Sequence, residues 1–279
     1  MIKKLFCFGV GFSGLEILKH AKLSGFEVSG CVRSIEKAEK ISTETGFNIV
    51  DINNVDLTGT THIVNTVPTN NMSDFIYDQF IEQIKSLKNL EWFGYISTTG
   101  VYGNTNGEMV DETNSLNPSG IRGKQRVAVE KIWLDNIKQT HIFRLPGIYG
   151  YGRSALDIVK SPKARAIKKD GQIFSRIHIY DIAQTVVKSM KNPNFGNIYN
   201  VCDDSPCDNV DVLSYACELQ NIKMVPMIPF EQAEMSEMAR SFYLDNRRVS
   251  NSKIKNELGV KLKYPTYKIG LQAILQSKS

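Results

Sequence analysis

A glycine-rich turn near the amino end constrains the fold of this 279-residue chain more than any other feature. Gly9, Gly11 and Gly14 form the pattern Gly-x-Gly-x-x-Gly between a short apolar run and an amphipathic segment. Gly9 would permit a tight turn, Gly11 would let a diphosphate approach the backbone, and Gly14 would let a helix pack on a strand. With Phe12 and Ser13 at the helix start, the turn predicts a dinucleotide site. The alternative is that the glycines only form a turn.

Apolar runs alternate with amphipathic segments along the chain. The pattern predicts strands at residues 3–8, 26–32, 47–50, 61–67, 91–97, 140–145, 174–180 and 197–201. It predicts helices at residues 15–24, 35–45, 73–87, 119–138, 182–191, 210–220 and 267–276. This order indicates an α/β fold, a Rossmann-type doubly wound parallel sheet in residues 1–150. Residues 151–279 are expected to add strands, helices and a small C-terminal substrate lobe, all integrated into one unit.

Composition narrows the functional classes. The formal net charge is +5, and lysines and arginines are spread along the chain, so we expect no nucleic-acid partner. The five cysteines form no Cys-x-x-Cys pair, which argues against a disulfide framework and a metal site and favours a reducing compartment. No apolar stretch is long enough to span a bilayer, and no cleavage site follows the first apolar run. We therefore expect a cytoplasmic protein without a membrane partner.

The end of the second predicted strand bears on the choice of cofactor. Folds that bind NAD usually place an acidic residue there, whereas a nearby arginine favours the 2′-phosphate of NADP. Here Arg33 and Ser34 follow the strand, and no acid precedes Glu36. A guanidinium holds a phosphate through two parallel hydrogen bonds. The sequence therefore favours NADP over NAD, unless Arg33 is only a solvated residue. Further cofactor contacts are predicted where later strands end, at Thr66, Val67, Pro68, Pro146 and Ile148.

A polar pattern marks the predicted strand at residues 174–180. Alternation places three residues on the side that we expect to face the core, Ser175, Ile177 and Ile179. The opposite side carries Phe174, Arg176, His178 and Tyr180. We expect Asp181 to cap the helix that begins at Ile182. Arg153 follows a glycine-rich stretch and is a second candidate, with Arg176, for binding a substrate.

Several motifs, in this order, give the chain a resemblance to a known family. They are the glycine turn and residues 95–103 (YISTTGVYG), 144–150 (RLPGIYG), 176–181 (RIHIYD) and 197–201 (NIYNV). The chain resembles the extended short-chain dehydrogenases/reductases, which include nucleotide-sugar epimerases and dehydratases. The resemblance covers nearly the whole chain. It implies a nicotinamide cofactor and a polar or nucleotide-linked small substrate. In that family the long helix at residues 119–138 often packs against a second subunit, so the resemblance leaves a homodimer open.

The resemblance also implies an active site, with one departure. Thr98 matches the residue that hydrogen-bonds the reacting oxygen. The Tyr-x-x-x-Lys pair of the family is replaced by Arg122 and Arg126. Arginine has no accessible neutral form, so Arg122 is not a proton donor and is expected to bind substrate. Arg126 would hold the cofactor ribose, or else would lie on a solvated face and pair with Glu130.

The missing tyrosine leaves the proton donor to be found elsewhere. Tyr102 and His178 are the candidates, beside Thr98, for catalysis. The sequence thus supports an NADP(H)-dependent epimerase, dehydratase or reductase. It also supports a non-catalytic protein that binds NADP(H) and reports its redox state to a partner. The retained Thr98 and the polar strand favour the enzyme, whereas Arg122 in the tyrosine position favours the sensor.

Overall fold

A computed structural model describes residues 2–69 and 72–277. Its strands are β1 (Lys4–Phe8), β2 (Glu27–Val32), β3 (Asn48–Asp51), β4 (His62–Asn65), β5 (Trp92–Thr98), β6 (Met109–Val110), β7 (Thr140–Leu145), β8 (Gly147–Tyr149), β9 (Ala166–Lys168), β10 (Arg176–His178), β11 (Ile198–Asn200), β12 (Met227–Pro229) and β13 (Arg248–Val249). Its α-helices are α1 (Phe12–Leu23), α2 (Ile35–Thr45), α3 (Phe75–Lys85), α4 (Ile121–Asn136), α5 (Ala155–Ile158), α6 (Ile179–Lys191), α7 (Asn209–Leu219), α8 (Glu237–Ser241), α9 (Ser252–Leu258) and α10 (Tyr267–Gln276).

The central sheet has seven parallel strands in the order β11-β7-β5-β4-β1-β2-β3. The chain winds outward from β1 to β3 and then returns to β4 on the other side of β1. Because the winding direction reverses there, the carboxyl ends of β1 and β4 flank a crevice. The predicted Rossmann-type doubly wound sheet is confirmed.

Helices cover both faces of the sheet. On one face α1 packs against α6, and their buried residues, such as Ile17 and Ile182, belong to one apolar core. On the other face α3 and α4 enclose a second core, in which the Trp133 ring stacks on Phe93 with centroids 4.3 Å apart. A sheet buried on both sides explains why its strands read as continuous apolar runs.

The carboxyl-terminal part of the chain both extends the sheet and builds a lobe. Strand β11 pairs with β7 and forms one edge of the sheet. Helices α5, α7 and α10 enclose a separate apolar cluster that includes Leu156, Leu213 and Leu271. A small C-terminal lobe with its own apolar core is therefore present. Its role in binding a substrate and the division at residue 150 stay predictions.

The region around β10 differs from the prediction. The strand spans only Arg176–His178, and α6 begins at Ile179 instead of Ile182. His178 caps this helix, since its Nδ1 accepts a hydrogen bond from the Tyr180 N–H at 3.1 Å. The predicted capping role of Asp181 is wrong, because its carboxylate accepts hydrogen bonds from the backbone N–H groups of Lys263 and Tyr264. Asp181 therefore anchors the segment before α10.

Candidate functional site

The glycine turn between β1 and α1 is held by backbone contacts. Gly9 has φ +87°, a left-handed conformation that favours glycine. The N–H groups of Gly9 and Val10 donate to the carbonyl of Cys31 at 3.1 and 2.9 Å. Thr66 Oγ1 donates to the Gly9 carbonyl at 2.6 Å. These contacts tie the turn to the ends of β2 and β4, so the predicted cofactor residues Thr66 and Gly9 lie side by side.

The second and third glycines of the turn have different surroundings. A Cβ atom at Gly14 would lie 2.6 Å from the Gly9 carbonyl oxygen, so this position has no room for a side chain. A Cβ atom at Gly11 would have its nearest neighbour at 3.9 Å. No side chain caps the start of α1, and its first turn contains no acid. An open, uncapped helix start of this kind suits a diphosphate, while Phe12 and Ser13 lie half-buried beside it.

Arg33 and Ser34 lie where β2 ends. Both side chains are exposed, and no carboxylate among the described residues lies within ion-pair distance of Arg33. Ser34 caps α2, and its Oγ accepts a hydrogen bond from the Lys37 N–H at 3.4 Å. The end of β2 therefore presents one unpaired guanidinium beside a helix start, which is a favourable place for an anion.

Thr98 ends β5 at the carboxyl edge of the sheet. It lies beside Leu145 in the register of β5 and β7, next to the predicted cofactor residues Pro146 and Ile148. Its side chain is half-buried, and Oγ1 accepts a hydrogen bond from the Gly100 N–H at 3.1 Å. The hydroxyl proton of Thr98 is not used in that bond, so it is available to a ligand oxygen.

The two arginines of α4 have different environments. Arg122 is exposed in the first turn of the helix, whereas Arg126 is half-buried. Arg126 Nη1 donates to the Tyr95 hydroxyl at 2.9 Å and to the Ile96 carbonyl at 2.6 Å. The alternative in which Arg126 pairs with Glu130 is wrong. Arg126 instead extends along β5, below the end of the strand that carries Thr98.

Tyr102 and His178 are both held inside the protein. Tyr102 is 2% exposed; its hydroxyl donates to Asn200 Oδ1 at 2.8 Å and accepts from Arg144 Nη1 at 2.9 Å. Burial raises the pKa of Tyr102. His178 is fully buried, and burial lowers its pKa to about 4, so the ring is neutral near pH 7. Its Nε2 has no hydrogen-bond partner among the described residues. The catalytic roles of both residues stay predictions.

A pocket of about 470 Å³ separates the lobe from the loop that follows β7. Arg153 and Arg176, two of the three predicted substrate arginines, line it together with Ile148. Arg176 is 8% exposed, and its Nη1 donates to the Phe174 carbonyl at 3.1 Å. The Arg153 guanidinium lies over the Phe12 ring, 5.5 Å from its centroid. Arg153 thus connects this pocket with the start of α1. Arg122, in contrast, is not part of its lining.

The apolar wall of the pocket comes from the lobe helices. It is formed by Ile158, Val212, Leu213, Tyr267 and Leu271. Tyr149 also lines the pocket; its hydroxyl is buried without a partner among the described residues. Two arginines outnumber the one acidic residue of the lining, Asp157. A pocket with such a polar side and an apolar wall suits a ligand that carries both a negative group and an apolar part.

Sequence reasoning missed Arg247. Its side chain is 16% exposed and forms an ion pair with Asp245 at 2.9 Å. Nη1 donates to the Gly103 carbonyl at 2.8 Å, and Nη2 lies 3.9 Å from the Cβ position of Gly100. The residue therefore approaches the loop that follows Thr98. The sequence signal at this position is a pair of adjacent arginines, Arg247 and Arg248, which lies outside every predicted helix and strand.

Within residues 2–69 and 72–277, no group of three or more His, Cys, Asp or Glu side chains is placed to hold a metal ion. In the same ranges, no helix is both long and apolar enough to cross a membrane.

Solved structures share this architecture over its whole length. The dTDP-glucose 4,6-dehydratase of Bacillus anthracis, solved with NAD, is 19% identical, with a TM-score of 0.77 and coverage of 98% of this chain and 96% of its own. The human epimerase family protein SDR39U1, solved with NADPH, is 14% identical, with a TM-score of 0.75 and coverage of 98% and 99%. The chain therefore has the Rossmann-type fold of the epimerases and dehydratases.

A protein from Silicibacter pomeroyi DSS is more similar. It is 39% identical, with a TM-score of 0.93, and the match covers 99% of both chains. The chain belongs to the same family as this conserved protein, whose function is unknown. No protein-family model and no curated protein matches the sequence.

Proposed function

We propose that the protein is an NADP(H)-dependent enzyme of the extended short-chain dehydrogenase/reductase kind. The observation that carries this proposal is the open, uncapped start of α1 behind a turn that needs glycine at Gly9 and Gly14. Backbone N–H groups at such a helix start bind diphosphate. The fold shared with proteins solved with NAD and with NADPH supports a nicotinamide dinucleotide as the ligand.

Arg33 supports NADP over NAD as the cofactor. It is exposed at the end of β2, without a carboxylate partner among the described residues, beside the start of α2. A ribose 2′-phosphate there would gain charge-assisted hydrogen bonds from the guanidinium. NAD carries a hydroxyl in place of this phosphate, and neither Arg33 nor Ser34 offers a carboxylate to accept a hydrogen bond from it.

Residues at the carboxyl edge of the sheet would hold the rest of the dinucleotide. They comprise Phe12, Ser13, Thr66, Val67, Pro68, Arg126, Pro146 and Ile148. The bound nicotinamide would supply or accept a hydride. Thr98 would donate a hydrogen bond from its hydroxyl to the reacting oxygen of the substrate and fix the position of that oxygen.

The substrate would be a polar small molecule, and a nucleotide-linked one fits the lobe pocket. Arg153 and Arg176 supply positive charge there, while Leu213, Tyr267 and Leu271 supply an apolar wall. Arg122, exposed at the start of α4, would add a further contact to an anionic part of the substrate.

A sensor of NADP(H) is the second candidate function. It is favoured by one observation, namely that Tyr102 is held by internal hydrogen bonds and His178 is buried as a helix cap. Neither is exposed to exchange a proton with a substrate, and Arg122 has no neutral form. A protein that only binds the dinucleotide would need none of these groups.

All five cysteines are free thiols, and four of them are buried. Free thiols suit a reducing compartment, so we place the protein in the cytoplasm.

Two measurements test the proposed function. Fluorescence titration of the purified protein with NADPH and NADH tests binding and preference; failure to bind either would overturn the proposal. Incubation of the loaded protein with carbonyl compounds and nucleotide sugars, followed at the absorbance of the reduced nicotinamide, separates the two candidates. Turnover supports the enzyme, and tight binding without turnover across the panel favours the sensor.

A further inference from the structure

The segment from Tyr243 to Arg247 connects the lobe with the loop after β5. On the lobe side, Gln172 Nε2 donates to the Asp245 carbonyl at 2.7 Å. On the sheet side, the Thr105 N–H donates to the Asn246 carbonyl at 3.0 Å. These hydrogen bonds to the carbonyls of Asp245 and Asn246 fix the backbone that directly precedes Arg247.

The guanidinium of Arg247 is only partly used by the protein. Nη1 makes both internal contacts, with the Gly103 carbonyl and with Asp245. Nε and Nη2 have no hydrogen-bond partner among the described residues, although 84% of the side chain surface is covered. These two nitrogens form the side-on edge of a guanidinium, which matches the two oxygens of a carboxylate. Nη2 is the Arg247 atom that approaches Gly100, two residues after Thr98.

Two further arginines lie on the helix that packs against the loop after β5. A Cβ atom at Gly123 would lie 2.8 Å from the Gly100 carbonyl, so the start of α4 packs on the same loop. Arg122 and Arg126 flank Gly123 on that helix. Asp245 pairs with Arg247, whereas neither Arg122 nor Arg126 forms an ion pair with a carboxylate among the described residues.

We infer that Arg247 binds a carboxylate group of the substrate side-on, next to the reacting oxygen on Thr98. The inference rests on the proposed function and deepens it, because it identifies the substrate as a carboxylic acid. Asp245 would keep the guanidinium oriented through Nη1, and Arg247 would recognise the acid through Nε and Nη2. An uncharged ester or amide of the same substrate would lose one strong hydrogen-bond pair and bind more weakly.

Two small probes of similar shape test this inference, the dianion oxalate and the neutral diamide oxamide. Calorimetric titration of the NADP-loaded protein at low ionic strength should give one oxalate site, with oxamide binding at least about tenfold more weakly. Arg247→Ala should weaken oxalate binding by about tenfold or more. Arg247→Lys should recover only part of it, since lysine lacks the planar pair of donors.

Arg248→Ala is the matched control. Arg248 is the next residue, but it lies in β13 and donates to the Gly107 carbonyl, whereas Arg247 donates to the Gly103 carbonyl. Oxalate affinity should be unchanged in this variant, and NADPH affinity should be unchanged in all three. The inference is overturned if wild-type protein binds no oxalate, or if Arg247→Ala and Arg247→Lys bind it as tightly as wild type. Should NADPH fail to bind, the proposed function fails, and the oxalate titration of the unloaded protein still decides the role of Arg247.

Discussion

Glu130 of α4 and Arg144 of β7 form an ion pair in the interior, in which a distance of 2.7 Å separates Arg144 Nη2 from Glu130 Oε2. Their side chains are 3% and 2% exposed. Arg144 Nε lies 3.2 Å from both carboxylate oxygens, and Ser97 Oγ donates to Glu130 Oε1 at 2.5 Å. Since Ser97 directly precedes Thr98, its hydrogen bond to Glu130 connects the end of β5 to the buried ion pair.

Glu130→Gln should destabilise the fold by about 3–5 kcal/mol, because it leaves the Arg144 charge buried without a counter-charge. Urea unfolding of the variant and of wild type measures the difference. Asp135→Asn is the control on the same helix, where the exposed Lys131–Asp135 pair should contribute less than about 1 kcal/mol. Equal losses in the two variants would show that the buried pair contributes no more than the surface pair.

Arg33→Ala should weaken NADPH binding by about tenfold or more and leave NADH binding unchanged. The reason is that only NADPH carries the 2′-phosphate that Arg33 would contact. Fluorescence titrations with both nucleotides measure the effect. Lys40→Ala, further along α2 and exposed, serves as a control for the general loss of positive charge. A wild-type protein with equal affinity for the two nucleotides would contradict the NADP proposal.

Gly11→Val and Gly14→Val should separate binding from folding. The side chain at Gly11 would enter open space at the start of α1, so this variant should fold but lose dinucleotide binding. The side chain at Gly14 would collide with the Gly9 carbonyl and with Cys7 Sγ, so this variant should lose stability. Thermal unfolding and NADPH titration of both variants test the pair of outcomes. Normal binding by Gly11→Val would mean that the glycines form only a turn.

Features with a local cause were predicted well from the sequence. Helix α2 spans Ile35–Thr45 as predicted, since it has a Ser34 cap and ends at Gly46, which has φ +71°. The glycine turn was also predictable, because the strand before it and the helix after it are separated by only a few residues. Arg153 and Arg176 come from separate motifs, and both line one pocket. Their contact with a substrate stays a prediction.

Features with a distant cause were not predictable. Glu130 has Arg126 one helical turn away, yet it pairs with Arg144 on another element. Arg247 contacts a loop that lies more than a hundred residues earlier, and no spacing rule connects the two. Alternation predicts a strand at residues 174–180 with one side facing the core, but Arg176, Ile177 and His178 are all buried because both sides of β10 are covered. Alternation therefore gave a strand that was too long and hid the early start of α6.

His178 should make stability depend on pH in a defined direction. Its pKa is about 4 in the folded protein because of burial, against about 6.5 when unfolded. The unfolded state therefore binds more protons between these values, and stability falls as pH falls through this window. The full effect is about 3 kcal/mol at most. For the same reason, we expect no change in catalytic rate near pH 6.5 from the titration of His178.

The pKa of Asp203 is raised to about 7 by burial, which acts in the opposite direction and stabilises the fold as pH falls below 7. The test is therefore a comparison of variants. His178→Gln lacks the titrating group, so its stability relative to wild type should improve as pH falls from about 6.5 to about 4. Urea unfolding at several pH values measures this difference. A difference that stays constant over the window would contradict the neutral, buried state of His178.

Thr98→Val should lower turnover about a hundredfold at every pH, once a substrate is identified. Valine has the shape of threonine but cannot donate a hydrogen bond to the oxygen on which charge develops. The variant therefore loses a hydrogen bond that stabilises the transition state. NADPH affinity should stay within about twofold of wild type, since the Thr98 hydroxyl is assigned to the substrate and not to the dinucleotide. Thr98→Ser keeps the hydroxyl and should recover most of the rate.

Steady-state rates and NADPH titrations of the three proteins provide both readouts. Unchanged turnover in Thr98→Val would place the reacting centre elsewhere, whereas a loss of NADPH binding together with turnover would assign Thr98 to the cofactor.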